Sequence, residues 1–210
     1  MKTVVLLMAA GPYKHGWTED APKQMALIAS EPLILRTLRQ LGERGHDENV
    51  IVVTHNDAIK AAVPRWFHPE AHTWWSETLL STRELWEERT ITMNADTVFA
   101  PQIIDCILAD PGPFMFHGND RIHKEAMIFT ATEQERVIAA SAAATEAGHR
   151  DGFRVMHWTF FCMMTGLPLE NLSENKYSPE CHRITSGYTF DIDSTSKYRR
   201  FLAKHEWARK

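Results

Sequence analysis

The stretch Val4-Val5-Leu6-Leu7, running through Met8 into Ala9-Ala10-Gly11-Pro12, decides the fold class. A continuous apolar run with β-branched residues suits a strand covered on both faces, as in a parallel sheet. The small residues and Gly11-Pro12 then break the strand into a loop. That loop, from Gly11 to Lys23, is polar and long for an α/β connection, and long ordered loops often carry function. Beyond it, Ile34, Leu35, Leu38 and Leu41 fall at helical spacing. Pro32 opens this helix at its first position, with Ser30 or Glu31 as cap, and Gly42 or Gly45 stops it. Val50-Ile51-Val52-Val53 is a second buried strand. Strand, helix and strand make a βαβ unit, with a right-handed crossover and a parallel pair.

The rest of the chain extends the pattern. Asp57 to Val63 reads as a short helix, Thr73-Trp74-Trp75 as a short strand and Ser76 to Glu88 as a helix. Thr90 to Met93 is the third main strand and runs into Asn94-Ala95-Asp96. Pro101 starts a helix with Ile103, Ile104, Ile107 and Leu108 as its apolar stripe. Over Ala126 to Ala147 two patterns compete. Thr132 and Glu135 fit a capping box and the alanines favour helix. The reading adopted is a hairpin of Met127-Ile128-Phe129 and Arg136-Val137-Ile138, followed by a short helix. Phe153 to Met163 reads as a strand, Tyr188 to Phe190 leads into Asp191-Ile192-Asp193, and Thr195 to Lys204 is a closing helix. With no repeats, low-complexity segments or linkers, the expectation is one α/β domain.

Composition narrows the function. The 210 residues are 44% hydrophobic and 24% charged, which excludes wholesale disorder. Lys plus Arg is 23 against 27 for Asp plus Glu, a net charge of −4, unlike a general nucleic-acid binder. The three cysteines, Cys106, Cys162 and Cys181, are far apart and odd in number, so reduced thiols in a cytoplasmic compartment are expected. No apolar run approaches the ~20 residues of a membrane span, and Val4 to Ala10 reads as a buried strand rather than a signal peptide.

Three places can carry chemistry. Small residues Ala9-Ala10-Gly11 after the first strand let backbone N–H groups approach a nucleotide closely, and Lys23 can fold over the same loop to meet phosphate. Asp96 lies at the C-terminal end of a central strand, where ligands bind in open α/β sheets, and a carboxylate there can hold Mg²⁺. The Asp191-Ile192-Asp193 motif is read as splitting its carboxylates between the faces of an extended segment, so that one coordinates metal and the other supports structure. Taken singly, each also has a plain structural reading as a turn, a capping aspartate or a helix N-cap.

In their order along the chain these pieces resemble the nucleotidyltransferases of the sugar-nucleotide, molybdenum-cofactor guanylyl and choline-phosphate cytidylyl type. The resemblance rests on Leu7-Met8-Ala9-Ala10-Gly11, Ala21-Pro22-Lys23-Gln24-Met25, Glu31-Pro32-Leu33-Ile34, Val50 to Thr54, Thr92-Met93-Asn94-Ala95-Asp96, and Tyr188-Thr189-Phe190-Asp191-Ile192-Asp193 before the helix carrying Tyr198. It spans nearly the whole chain. It implies a Rossmann-like, mostly parallel sheet flanked by helices, the architecture of nucleotide-diphospho-sugar transferases, with a nucleotide-binding half (1–110) and an acceptor-binding half with the closing helix (111–210). It also implies Mg²⁺-dependent transfer from an NTP, CTP slightly favoured, to a phosphorylated sugar or small alcohol such as phosphocholine, with pyrophosphate released. By the same matching, Ala9, Ala10 and Gly11 touch base and triphosphate, Lys23 and Lys14 neutralise phosphate, and Asp96 and Asp193 hold Mg²⁺. Thr78 and Ser81 contact base or ribose. Asp191, Trp158 and His117 are assigned to the acceptor side. The loop departs from the family pattern: Gly16 is displaced, Lys14 or His15 stands where an Arg is usual, and Pro12 removes one N–H donor.

Among the seven tryptophans, Trp74, Trp75 and Trp158 could cage a quaternary ammonium group, although core packing is the commoner use of such rings. His68 and His72 stand four apart, but Pro69 between them favours a turn over a zinc site. The basic C-terminus (Arg199, Arg200, Lys204, Arg209, Lys210) is read as a solvated face. Two rival functions remain: a glycosyltransferase using a nucleotide sugar, for which Asp191-Ile192-Asp193 has the DxD form, and a non-catalytic nucleotide-binding domain.

Overall fold

The computed structural model describes residues 1–11, 15–119, 124–151, 157–167, 178, 180–185 and 189–208. The first half builds β1 (Thr3–Met8), a β2 (Leu27–Ile28) and β3 (Glu31–Pro32) hairpin, α1 (Leu33–Gly42), β4 (Val50–Val53), α2 (Asp57–Ala62), β5 (Trp66–Phe67), α3 (Trp75–Ser81), β6 (Arg89–Asn94), β7 (Thr97–Phe99) and α4 (Pro101–Ala109). The second half adds β8 (Phe114–Gly118), β9 (Ala126–Thr130), α5 (Gln134–Asp151), α6 (His157–Thr165), β10 (His182–Ile184), β11 (Thr189–Asp191) and α7 (Thr195–Lys204).

The main sheet has seven strands in the order β10-β8-β9-β6-β1-β4-β5. All run parallel to β1 except β9, which is antiparallel to both its neighbours. The doubly covered first strand lies inside the sheet between β6 and β4, and its alternating residues feed two cores. Val5, Leu7 and Ala9 pack with Ile34 and Leu41 of α1 and Ile103, Ile104 and Ile107 of α4. Val4, Leu6 and Met8 face Leu79 of α3, Val137 and Ala140 of α5, and Phe160 and Phe161 of α6. A third, smaller cluster joins the antiparallel β7–β11 ribbon to α7 through Val98, Ile192 and Phe201.

Several expected elements differ. The edge strand next to β4 is Trp66–Phe67, not Thr73 to Trp75; Trp74 precedes α3 and its backbone N–H donates to Glu77 Oε2 at 3.1 Å. The helix expected over Ser76 to Glu88 stops at Ser81, followed by a 3-10 turn over Arg83–Leu85. There the buried Thr82 hydroxyl bonds Leu79 O at 2.7 Å and accepts from Trp86 Nε1 at 2.9 Å. Pro32 precedes α1 rather than opening it. Strand β9 exists, but its hairpin partner is β8, and Arg136 to Ile138 lies within α5. Val137, Ala140, Ala144 and Ala147 are all buried and recur at helical spacing, so the alanine signal was the right one. Of the strand expected over Phe153 to Met163, the described part is helix α6. Phe160, Phe161, Cys162 and Met164 are all buried, and a helix apolar all round has no amphipathic period to distinguish it from a core strand. Among the described residues, no helix is long and apolar enough to cross a membrane.

Candidate active site

The parallel strands deliver their C-terminal ends to one edge of the sheet. There β1 runs into Ala9 and Ala10, both buried, whose position is fixed by the Ala9 N–H bond to Val53 O at 2.9 Å and the Ala95 N–H bond to Met8 O at 3.2 Å. The exposed Gly11 follows, and no described atom lies within 4 Å of a Cβ built on it. Lys14 lies outside the described residues, as do Pro12 and Tyr13.

The loop then crosses to the far end of the chain. Gly16, at φ +91°, approaches α7 so closely that a Cβ would sit 2.7 Å from Thr195 Oγ1. Thr195 N–H donates to His15 O at 3.2 Å, and Trp17 Nε1 donates to Ile192 O at 3.2 Å. On its other side, Asn56 Nδ2 donates to Glu19 O at 2.8 Å while Asn56 Oδ1 caps α2 by accepting from Ile59 N–H at 3.0 Å. These contacts hold Pro22-Lys23, and a 3-10 turn over Lys23–Met25 sets the lysine, 14% exposed, against the sheet edge.

Lys23 Nζ meets Asp96 Oδ2 and lies 3.8 Å from Asp193 Oδ1. The register of the β7–β11 ribbon explains why residues almost a hundred apart in sequence converge. Asp191 pairs with Thr97, so Ile192 N–H donates to Asp96 O at 3.0 Å. Residues two apart in an extended segment share a face. Ile192 is buried in the third cluster, and Asp191 and Asp193 turn the other way, toward Asp96. The expected split of the two carboxylates between faces is therefore corrected: oxygens of Asp96, Asp191 and Asp193 lie within 4.8 Å of one another. Lys197, one turn into α7, closes the group with its Nζ 2.9 Å from Asp193 Oδ2.

The electrostatics follow from this crowding. Burial, then the nearby Asp96 and Asp193 charges, push the Asp191 carboxyl up to about 9. Burial opposes charge on Asp193 too, but the hydrogen bond from a protonated Asp191 and the ammonium of Lys197 hold it below the usual carboxylate range. Burial alone would lower Lys23; the Asp96 carboxylate, with Asp191 and Asp193 behind it, outweighs burial and raises it, so the ammonium stays charged. The group fits a divalent cation. Its donors are hard carboxylate oxygens, and Asp191 Oδ1 is buried without a hydrogen-bond partner.

The other expected contacts fall elsewhere. Thr78 is buried and its hydroxyl donates to the carbonyl of Trp74, the residue before α3, at 3.2 Å. The Ser81 hydroxyl bonds Glu77 O and tethers Ala71 by accepting its N–H at 3.1 Å. His117, on β8, is buried with its ring 3.3 Å from Asp110 Oδ2, and neither ring nitrogen makes a well-aligned hydrogen bond. Burial pulls it down to about 4, so it is neutral near pH 7. Trp75 packs edge-on against Phe160 and Trp74 against His149, and the Trp158 side chain lies outside the described residues. His72 stacks on His55, centroids 4.2 Å apart.

Sequence reasoning missed Lys197 and the polar residues at the start of β9. Antiparallel β9 begins at the same sheet edge where the parallel strands end. Just before it, Glu125 accepts from the Thr189 hydroxyl, and Lys124 Nζ lies 4.5 Å above the Phe161 ring, both residues being buried. The available signal was a charged pair placed directly before an apolar strand.

No protein-family model matches the chain, and no curated protein matches it in sequence. Solved structures do share the fold over nearly its whole length. The CTP:phosphocholine cytidylyltransferase of Streptococcus pneumoniae aligns over 97% of this chain and 99% of its own, at TM-score 0.59 and 15% identity. HddC from Yersinia pseudotuberculosis, solved with GMP-PN, gives the same coverages and TM-score at 13% identity. The CMP:2-keto-3-deoxy-manno-octonic acid synthetase complexed with CTP covers 97% of this chain and 98% of its own, at TM-score 0.59 and 12% identity. The chain thus has the mostly parallel, helix-flanked fold of the nucleotide-diphospho-sugar transferases.

Proposed function

We propose that this chain is a Mg²⁺-dependent nucleotidyltransferase that joins an NTP, most favourably CTP, to a phosphorylated sugar or small alcohol such as phosphocholine. The observation that carries this reading is the meeting of Lys23 with Asp96 and Asp193 at the sheet edge where β1 opens into Ala9-Ala10-Gly11. The structural neighbours are nucleotidyltransferases, which supports the same reading.

In the proposed reaction an acceptor phosphate oxygen attacks the α-phosphorus of the NTP. The bond to the bridging oxygen breaks, and pyrophosphate leaves in line with that electron pair. Such chemistry needs alignment and charge screening rather than a protein nucleophile. The Ala9–Gly11 turn lets backbone approach the nucleotide, and Lys23 screens phosphate from the sheet edge, with Lys14 as a second cation from the same loop. Asp96 and Asp193, with Asp191 beside them, would hold the Mg²⁺, whose charge screens the triphosphate. Buried and neutral, His117 is better suited to shaping the acceptor side than to moving a proton. With their hydroxyls engaged locally, Thr78 and Ser81 would shape the base pocket through α3.

The test is thermal stabilisation by ATP, CTP, GTP and UTP, each with and without Mg²⁺. A ligand at 100 times its Kd adds about 2.7 kcal/mol, several degrees for a chain of this size. A Mg²⁺-dependent shift with CTP, followed by pyrophosphate release on adding a phosphorylated alcohol, is the expected result. Selective shifts with UTP or GTP would move the acceptor to a sugar phosphate. No shift with any NTP overturns the reading. The convergence of Asp191 and Asp193 on one face also favours a glycosyltransferase as second reading, which nucleotide sugars and release of a nucleoside diphosphate would reveal.

A further inference from the structure

The carboxylate group is already neutralised by the chain itself. Lys23 meets Asp96 and faces Asp193 on one side; Lys197 holds the other oxygen of Asp193 at 2.9 Å. Both lysines are bonded to carboxylate oxygens of Asp96 and Asp193, and a divalent ion placed among the carboxylates would lie within a few ångströms of two ammonium groups. Like charges at such distances repel strongly even at an effective dielectric constant of ~20. A cation alone therefore meets a site where two of the three carboxylates, Asp96 and Asp193, are already paired with lysine. A polyphosphate alone likewise meets lysines that are engaged by carboxylates.

We propose that Lys197 acts with Lys23 as an internal counter-ion, handed from the carboxylates to phosphate when the nucleotide binds, so that divalent cation and polyphosphate bind cooperatively. Lys197 is placed for this by its helix. Ser194 caps α7 by accepting from the Lys197 N–H at 3.1 Å, which fixes the residue one turn above Asp193. Its side chain is about one-third exposed, so the ammonium can leave Asp193 without crossing the core. The exchange balances: two lysine–carboxylate contacts are replaced by lysine–phosphate and cation–carboxylate contacts. Because linkage is reciprocal, the factor by which polyphosphate tightens the cation is the factor by which the cation tightens polyphosphate. This inference rests on the nucleotidyltransferase reading of the site.

The experiment measures binding of each partner in the absence of the other, and of Mn²⁺ in the presence of tripolyphosphate. Mn²⁺ binding without nucleotide is followed by the loss of its free electron-spin resonance signal, for the full chain and for Lys197→Met, Lys197→Gln and Asp96→Asn. Inorganic tripolyphosphate binding in EDTA is followed by calorimetry for the full chain and Asp193→Asn. We expect both Lys197 variants to bind Mn²⁺ at least about tenfold more tightly, and Asp193→Asn, which frees both lysines from one carboxylate, to bind tripolyphosphate more tightly. Tightening of the lone cation follows from charge alone, so the hand-over is read from the coupling: tripolyphosphate should tighten Mn²⁺ less in both Lys197 variants than in the full chain, and an equal factor, or weaker or unchanged Mn²⁺ binding on removing the lysine, overturns the counter-ion role. Thermal unfolding of each variant identifies any that fail to fold, and two substitutions at Lys197 guard against that loss. If Mn²⁺ binding is insensitive to Asp96→Asn, or no variant binds it, the metal reading of the site itself fails, a result distinct from failure of the coupling.

Discussion

Gly16 carries the most specific structural consequence, because it joins the loop after β1 to the element that holds Asp193. Consider Gly16→Ala. The backbone there has φ +91°, a conformation an L side chain adopts at a cost of about 1–3 kcal/mol. The new Cβ would also lie 2.7 Å from Thr195 Oγ1 and 3.1 Å from Thr195 Cγ2, so the threonine must leave its rotamer, at roughly 1 kcal/mol. Against this, alanine restricts the unfolded chain and returns about 0.4–1 kcal/mol. The net loss is about 2 kcal/mol, or about 4–8 °C in Tm for a chain of this size. Urea unfolding measures it directly. A double-mutant cycle with Thr195→Ala separates the two causes, since removing the hydroxyl and methyl relieves the overlap but not the dihedral strain. The expected coupling is about 1 kcal/mol in the relieving direction. A Gly16→Ala loss under about 0.5 kcal/mol, or strict additivity with Thr195→Ala, would refute the argument that this loop is pinned to α7. Should the loop serve the nucleotide as proposed, the variant's thermal shift with NTP and Mg²⁺ should also shrink relative to the parent.

Other expectations follow from individual contacts. Asp96→Asn should lower pyrophosphate release by at least about a hundredfold, since it removes charge from the centre of the carboxylate group; unchanged release would exclude Asp96 as a metal ligand. Asn56→Ala should cost about 1–2 kcal/mol as a lost cap of α2, and hydrogen exchange should increase around Glu19, whose carbonyl loses its donor. His117 is held neutral by burial with a pKa near 4, so the unfolded chain takes up a proton that the native chain refuses. Its contribution to stability is full above about pH 6.5 and is lost as pH falls toward 4, roughly 2 kcal/mol between pH 7 and pH 5. His117→Gln should flatten that portion of the stability profile, and an identical profile in the variant would assign the pH dependence to other groups.

Much of the fold is legible without coordinates because burial writes itself into local patterns. The uninterrupted apolar run of β1 needs cover on both faces, and the two cores built on its alternate residues provide it. Helices α1, α4 and α7 announce themselves through stripes that face a single core, and Pro101 marks where α4 starts. Legibility ends where an element is apolar all round, as in α6, or where two periods fit the same residues, as across Ile128 to Ile138. Nothing local distinguishes a helix in the core from a strand in the core. The candidate site divides along the same line. Lys23, Asp96 and Asp193 could be singled out by type and by position at loop ends. That Asp191 joins them, that Lys197 closes the group, and that Glu125 and Lys124 reach the same sheet edge could not. Those facts depend on the pairing of β11 with β7, which puts Ile192 opposite Asp96, and on the reversed direction of β9. Local pattern and residue type dictate which segments must be covered and which residues have the chemistry to act. The tertiary structure alone decided which of them meet, because strand register between distant segments is set by the packing of whole faces and leaves no trace in the spacing of any one segment.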